Sequence, residues 1–141
     1  YFKMASETEH IHLKKATHKI ILFSFLIGII PTLIILFFGK DIFYLLFSGE
    51  WLAAGKISQY LILWYFSAIV IGPISFLLDI KNKLKFEFAF NIAFFILRIT
   101  AICIGAFYHD FYLSILLFCI VGVIMNLYLL WYINFELLKN D

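Results

Sequence analysis

Four stretches of this chain are too long and too apolar for any fold that lives in water: residues 20–38, 57–78, 86–107 and 111–133. Crossing a hydrocarbon core takes about 20 apolar residues at 1.5 Å of rise each, and every one of the four is of that size. The first carries no charge and is broken by Gly28 and Pro31. The second has Gly72-Pro73 near its end, the third is entered through Glu87 and holds one charge, Arg98, and the fourth has only Ser114, Gly122 and Asn126 as interruptions. Lipid offers no hydrogen bonds to an exposed backbone, so a spanning segment is a helix or a strand of a closed barrel. None of the four shows the strict alternation of a barrel strand, and helices are therefore expected. The fold class that follows is all-α, a polytopic transmembrane bundle with four spanning helices.

Composition closes the alternatives. Hydrophobic residues make up 65% of the 141 and charged residues 14%, against roughly 45–50% and about 25% in an ordinary soluble domain, which excludes a soluble enzyme. Two Pro and seven Gly beside 18 Phe and eight Tyr exclude a disordered or collagen-like chain. A formal net charge of +2 is too small for a nucleic-acid partner. Cys103 and Cys119 both lie inside apolar runs, where a thiol behaves as a small hydrophobe.

Orientation follows from the basic residues. Lys3, Lys14, Lys15 and Lys19 precede the first span, Lys81, Lys83 and Lys85 follow the second, and Lys139 follows the fourth; on the other side stand only Lys40 and Lys56. The positive-inside rule then predicts both termini in the cytoplasm of a multi-pass protein of the cell membrane. Trp51, Trp64, Tyr108, Tyr112, Trp131 and Tyr132 are expected near span ends, as interfacial aromatics.

The remaining segments divide the chain into a cytoplasmic connecting helix over residues 1–19 and a four-span domain over 20–141. Ser6-Glu7-Thr8-Glu9 has the form of a capping box and predicts a helix start there, continuing toward the first span. Residues 41–47, Asp-Ile-Phe-Tyr-Leu-Leu-Phe, are too short to cross and are expected as a separate helix lying flat at the outer surface. The opening Tyr-Phe-Lys, with the first apolar run starting only at Ile20, leads to the expectation that the chain is a piece of a longer one.

Catalysis finds no constellation here: there is no glycine-rich phosphate loop, nucleophile elbow or zinc-protease motif, and no cofactor is implied. His10 and His12 are two apart, on opposite sides of a helix, and no third ligand stands at metal spacing. Arg98 is the residue that demands an account. It lies about ten residues, or ~15 Å, from either end of its span, and a mid-membrane Arg costs roughly 2.5–3.5 kcal/mol to insert. Two readings stay open: a structural Arg hydrogen-bonded to Asn91 or Asn126, or a cation that holds an anionic substrate in a translocation path. Pro31 frees the carbonyl of Ile27 and is a kink or hinge candidate, as are Gly72 and Pro73. The pairs Ser24/Gly28, Ala68/Gly72, Ala89/Ala93 and Ala101/Gly105 are small residues four apart and mark faces for close helix packing.

In order along the chain come a Lys-bearing helix, a span ending in Phe-Phe-Gly39, the 41–47 segment, Gly49-Glu-Trp51, Ala54-Gly55, Tyr60-Leu-Ile-Leu-Trp64, Gly72-Pro73-Ile74-Ser75, a short basic turn and the Arg98 span. In this order the chain resembles the C-terminal part of the oligosaccharide flippases of the polysaccharide-biosynthesis (Wzx-like) family, in the multidrug/oligosaccharidyl-lipid/polysaccharide exporter superfamily. The resemblance implies the last four spans of a twelve-helix transporter whose N-terminal lobe is its partner. It also implies export of a polyprenyl-diphosphate-linked oligosaccharide, such as an O-antigen unit, across the inner membrane by alternating access. The competing expectation is a self-sufficient four-span protein, either a membrane accessory protein or a small multidrug exporter. A proton-coupled exporter needs a carboxylate deep in the membrane, and Asp79, Glu87 and Glu136 all stand at span ends.

Overall fold

A backbone surrounded by lipid must bond to itself, and the computed structural model of the chain, which describes residues 2–138 (side chains 12–136 and 138), is helical almost throughout. Helix α1 runs from Phe2–Phe47, α2 from Leu52–Ser75, α3 from Leu77–Ile80, α4 from Leu84–Phe107 and α5 from Phe111–Tyr132. A 3-10 turn, Gly49–Trp51, precedes α2, and a π-helical turn, Ile133–Leu137, extends α5. Among the described residues no strand occurs, and four helical stretches are long and apolar enough to cross a membrane: His12–Phe47, Gly49–Ile80, Leu84–Phe107 and Phe111–Glu136. The described residues are therefore all-α, with four such helices.

Each reversal of direction passes through one residue in the left-handed region: Ser48 (φ 82°), Asn82 (φ 53°) and His109 (φ 53°). After His109, the Asp110 side chain accepts a hydrogen bond from the Leu113 N–H at 3.0 Å, which caps α5 and lets the three residues Tyr108, His109 and Asp110 reverse the chain.

Two local expectations are corrected. Residues 41–47 are not a separate surface helix; they are the last turns of α1, which continues through Gly39-Lys40 without a break. The reason lies in the neighbour. A side chain on Gly55 would stand 2.7 Å from the Lys40 Cα and 2.9 Å from the Gly39 carbonyl oxygen, so the two glycines let α1 and α2 touch backbone to backbone. That contact supports the helix at the position where glycine would otherwise loosen it. Nor does the helix begin at Ser6: Ser6-Glu7-Thr8-Glu9 already lies inside α1, and residues 2–19 are continuous with the first apolar run. At 1.5 Å per residue the 46 residues of α1 extend for about 69 Å, more than twice a hydrocarbon core of about 30 Å.

Packing places α1 against α2, α2 against α5 and α5 against α4, so the bundle reads α1, α2, α5, α4 in space. The end that carries the lysines of α1 and of the α3–α4 turn, the basic end, holds the core. There Ile74, Leu77 and Leu78 meet Phe90, Leu129, Ile133 and Leu138, with Leu13 and Ile21 of α1 packed on the outside. Ile133 is fully buried, and the Phe86 and Tyr132 rings stack at 3.8 Å between α4 and α5. The opposite, distal end is joined by glycines. Besides Gly39 and Gly55, a Cβ on Gly105 would stand 2.5 Å from the Ser114 backbone N and Cα, so α4 and α5 also meet there at backbone distance.

Of the four small-residue pairs, two pack as expected. Ser24 and Gly28 are buried, Gly28 facing Phe66 and Ile69 of α2, and Ala101 and Gly105 are buried against α5. Ala89 and Ala93 are exposed, and a Cβ on Gly72 would meet nothing within 4 Å. Neither of those two pairs is buried among the described residues.

Candidate functional site

Arg98 stands on α4 one helical turn beyond Phe94, so both side chains share a face. That face is turned toward α2 and α5. The guanidinium carbon lies 4.1 Å from the Phe94 ring centroid, 4.2 Å from that of Trp64 on α2 and 4.2 Å from that of Phe118 on α5. Trp64 and Phe118 are themselves edge to face, 5.4 Å apart at 86°. Trp64 can lie this deep because the α5 residue beneath it is glycine: a Cβ on Gly122 would collide with the Trp64 ring, reaching within 2.9 Å of Cγ and Nε1. Three rings from three helices thus enclose one cation.

Below the ring cage runs a short polar seam. The Asn126 Nδ2 donates to Ser67 Oγ at 2.9 Å, and Ser67 Oγ donates to the Trp64 carbonyl at 2.7 Å. Asn126 is buried with its Nδ2 spent on Ser67, while Asn91 is exposed. Neither Nε nor Nη2 of Arg98 makes the expected hydrogen bond to Asn91 or Asn126. The guanidinium Nε and Nη2 are sealed from solvent and have no hydrogen-bond partner among the described residues.

The energetics of this arrangement can be weighed. A cation over an aromatic ring gains about 0.5–1 kcal/mol when exposed and about 2 kcal/mol or more when desolvated. Three such contacts match the roughly 2.5–3.5 kcal/mol that a mid-membrane Arg costs, so the rings alone let the charge stay. They do nothing for the N–H donors. Each sealed donor without an acceptor costs about 1–3 kcal/mol, which an acceptor brought by a ligand or a further helix removes.

Phe118 also forms part of the wall of a cleft of about 620 Å³ at the distal end, between Ile57 and Leu61 of α2, Gly105 of α4 and Ser114 of α5, with His109 and Asp110 at its rim. Over that end the Lys56 ammonium lies 3.9 Å from the Tyr112 ring, linking α2 to α5. A second cleft of about 480 Å³ lies between Leu36 of α1, Gln59 and Leu63 of α2 and Cys119 of α5. The Gln59 Nε2 donates to the Leu36 carbonyl at 2.9 Å, so this polar residue is spent on joining α1 to α2.

The hinge candidates stand apart from the cage. Pro31 is exposed on α1, which remains helical through it, and Thr32 Oγ1 donates to the Gly28 carbonyl at 2.7 Å beside the proline. Gly72 and Pro73 are exposed near the end of α2, three to four residues before Phe76 separates α2 from α3. His12 is exposed, and the side chain of His10 lies outside the described residues. Among the described residues no three His, Cys, Asp or Glu side chains come together at metal-binding distance.

Sequence reasoning missed Trp64 and Phe118 as the companions of Arg98. Trp64 was expected at an interface and instead sits in the middle of α2, its ring over the guanidinium. The available signal was Phe94, four residues before Arg98; nothing local points to the other two rings. Comparison of the chain with protein-family models, with curated proteins and with solved structures returns no match.

Proposed function

We propose that the chain is the membrane-embedded end of a transporter that moves a polyprenyl-diphosphate-linked oligosaccharide, such as an O-antigen unit, from the inner to the outer leaflet by alternating access. In this reading it is a multi-pass protein of the bacterial inner membrane with the basic end and both termini in the cytoplasm. Its partners are the bilayer, an N-terminal helical lobe and the lipid-linked oligosaccharide. The observation that carries the reading is the guanidinium of Arg98, held mid-helix by three rings with two sealed N–H donors and no acceptor. A diphosphate is the acceptor such a fork suits, since its oxygens take two parallel N–H bonds at once. The distal cleft supports the same reading, because it shares Phe118 with the cage and stands at the end opposite the lysines. Outward-turned Ala89 and Ala93 give α4 a small-residue face for the other lobe.

The test is export per molecule of membrane-inserted protein, measured with Arg98→Ala and Arg98→Lys. Arg98→Ala is expected to lower specific export by tenfold or more, the size of one lost charge-assisted bidentate contact of about 1.5–3 kcal/mol. Arg98→Lys should recover only part, because a point charge replaces the planar fork. Normal specific export with Arg98→Ala would remove the substrate role and leave the ring cage as a packing device.

A further inference from the structure

Helices α2 and α5 both run from the distal to the basic end, and the contacts along their seam change in kind with depth. Outermost, the Lys56 ammonium and the Tyr60 ring meet the Tyr112 ring, at 3.9 and 6.3 Å from its centroid. Deeper come Trp64 against Phe118 and Gly122, then the hydrogen bond from Asn126 to Ser67, then the core around Ile74 and Ile133. Among the described residues no hydrogen bond ties α2 to α5 on the distal side of Ser67. The clefts of about 620 and 480 Å³ flank this stretch on its two sides, the first along Ile57 and Leu61 of α2, the second along Gln59 and Leu63, which point the other way on the helix. The distal seam is thus a narrow line of ring contacts with space on both sides, standing on a hydrogen-bonded and then a packed floor.

Arg98 stands at the inner end of that line. With Trp64 in place, three rings answer its charge, while Nε and Nη2 are sealed from solvent and unbonded. Lifting Trp64 away reverses the balance: a ring contact is lost, and water or an anion reaches the donors and makes the bonds they lack. Each state supplies what the other withholds, so the two are of comparable free energy and a small bias selects between them. The ring can leave with α2, because its seat on α5 is the bare backbone of Gly122. Helix α1 goes with α2, to which it is joined by the contact of Gly39 with Gly55 and by the bond from Gln59 to the Leu36 carbonyl.

We propose that Trp64 is a lid over Arg98, seated on Gly122 and lifted when the α1–α2 pair swings away from the α4–α5 pair at the distal end, with the Ser67–Asn126 level as the hinge. The closed lid withholds the guanidinium donors from the distal side, and the open lid presents them there. The lid acts in the same way whatever the protein carries, and it is read by labelling rather than by export.

Arg98 is the one arginine of the chain, so phenylglyoxal, a dicarbonyl selective for guanidinium groups, reads its accessibility in the purified protein in nanodiscs, with the adduct followed by mass spectrometry. Gly122→Ala sets a methyl group where the Trp64 ring lies and should raise the labelling rate about tenfold or more, a shift that the loss of one desolvated ring contact is large enough to produce. Gly72→Ala, which meets nothing within 4 Å, should leave the rate unchanged. A second measurement leaves the cage itself untouched. Tyr60→Cys with Tyr112→Cys, in a chain carrying Cys103→Ala and Cys119→Ala, should label about tenfold more slowly once a short thiol cross-linker joins the two positions than before joining. Equal rates before and after joining would overturn the proposal, because the distal seam would then not be what opens. So would an unchanged rate in folded Gly122→Ala, or an equal rise in Gly72→Ala, which would mark a general loosening of the bundle.

Discussion

The two ends of this bundle are held together by different means. At the basic end, large side chains from α2, α3, α4, α5 and the π-helical turn interlock around Ile74, Leu78 and Ile133, and α1 leans on them through Leu13 and Ile21. At the distal end the helices meet in pairs, α1 with α2 at Gly39 and Gly55, α4 with α5 at Gly105 and Ser114, and the pairs are linked by Lys56 and Tyr60 against Tyr112. Lipid supplies no hydrophobic force between helices, so association rests on contact area and close approach. A side-chain core distributes that contact over many residues of several helices. Glycine contacts concentrate it in a few positions and leave the space between the pairs as clefts of about 620 and 480 Å³. The distal end is thus the one where two helical pairs can separate without dismantling a core.

Substitutions that fill or empty the two ends should separate these mechanisms. The largest effect is expected from Gly105→Ala, whose methyl group would stand 2.5 Å from the Ser114 backbone. Backbone cannot rotate away as a side chain can, so a loss of about 3 kcal/mol or more is expected in detergent unfolding. Gly72→Ala is its control: with nothing within 4 Å, it should gain rather than lose, by up to about 1 kcal/mol of helix propensity. Similar losses at both glycines would break the claim that backbone contact holds the distal end.

Next in size is Ile133→Ala at the basic end. The residue is fully buried, and emptying the site should cost about 2 kcal/mol, the lower part of the range for core truncations because the removed carbons are not transferred to water. Disulfide trapping between α2 and α5 at the distal end should be unaffected by that substitution. A change there would mean that the two ends are not mechanically distinct.

A smaller effect of opposite sign is expected at the α1–α2 turn. Ser48 has φ 82° and ψ 174°, a region that only glycine occupies without strain. Ser48→Gly should raise stability by about 1 kcal/mol. An unchanged midpoint would mean that the turn is not strained. The smallest signal comes from spin labels scanned through residues 41–47. As the last turns of α1 they should change depth by about 1.5 Å per residue, and a constant shallow depth would restore a flat surface helix.

Much of the architecture is legible in the sequence. The number of helices long enough to span, their places along the chain and the concentration of lysines at one end follow from composition and spacing, because a backbone in lipid must satisfy its hydrogen bonds within its own segment. Gly39 illustrates the limit. Locally it reads as a helix end, and only its contact with Gly55 shows that it serves close packing instead. The pairs Ala68/Gly72 and Ala89/Ala93 look the same in sequence as Ser24/Gly28 and Ala101/Gly105, yet only the latter two are buried.

The site divides in the same way. Arg98 stands out in the sequence because a charge in the middle of an apolar run is costly wherever the run lies. Which groups answer it was decided by the rotation of three helices about their axes, which turned Trp64 and Phe118 onto the guanidinium and turned Asn126 away to Ser67. In a water-soluble helix the apolar stripe announces that rotation, since only one face is buried. These spans are apolar all round, so their sequence specified the crossings, and only the packing of the helices against one another decided which residues face a partner and which face lipid.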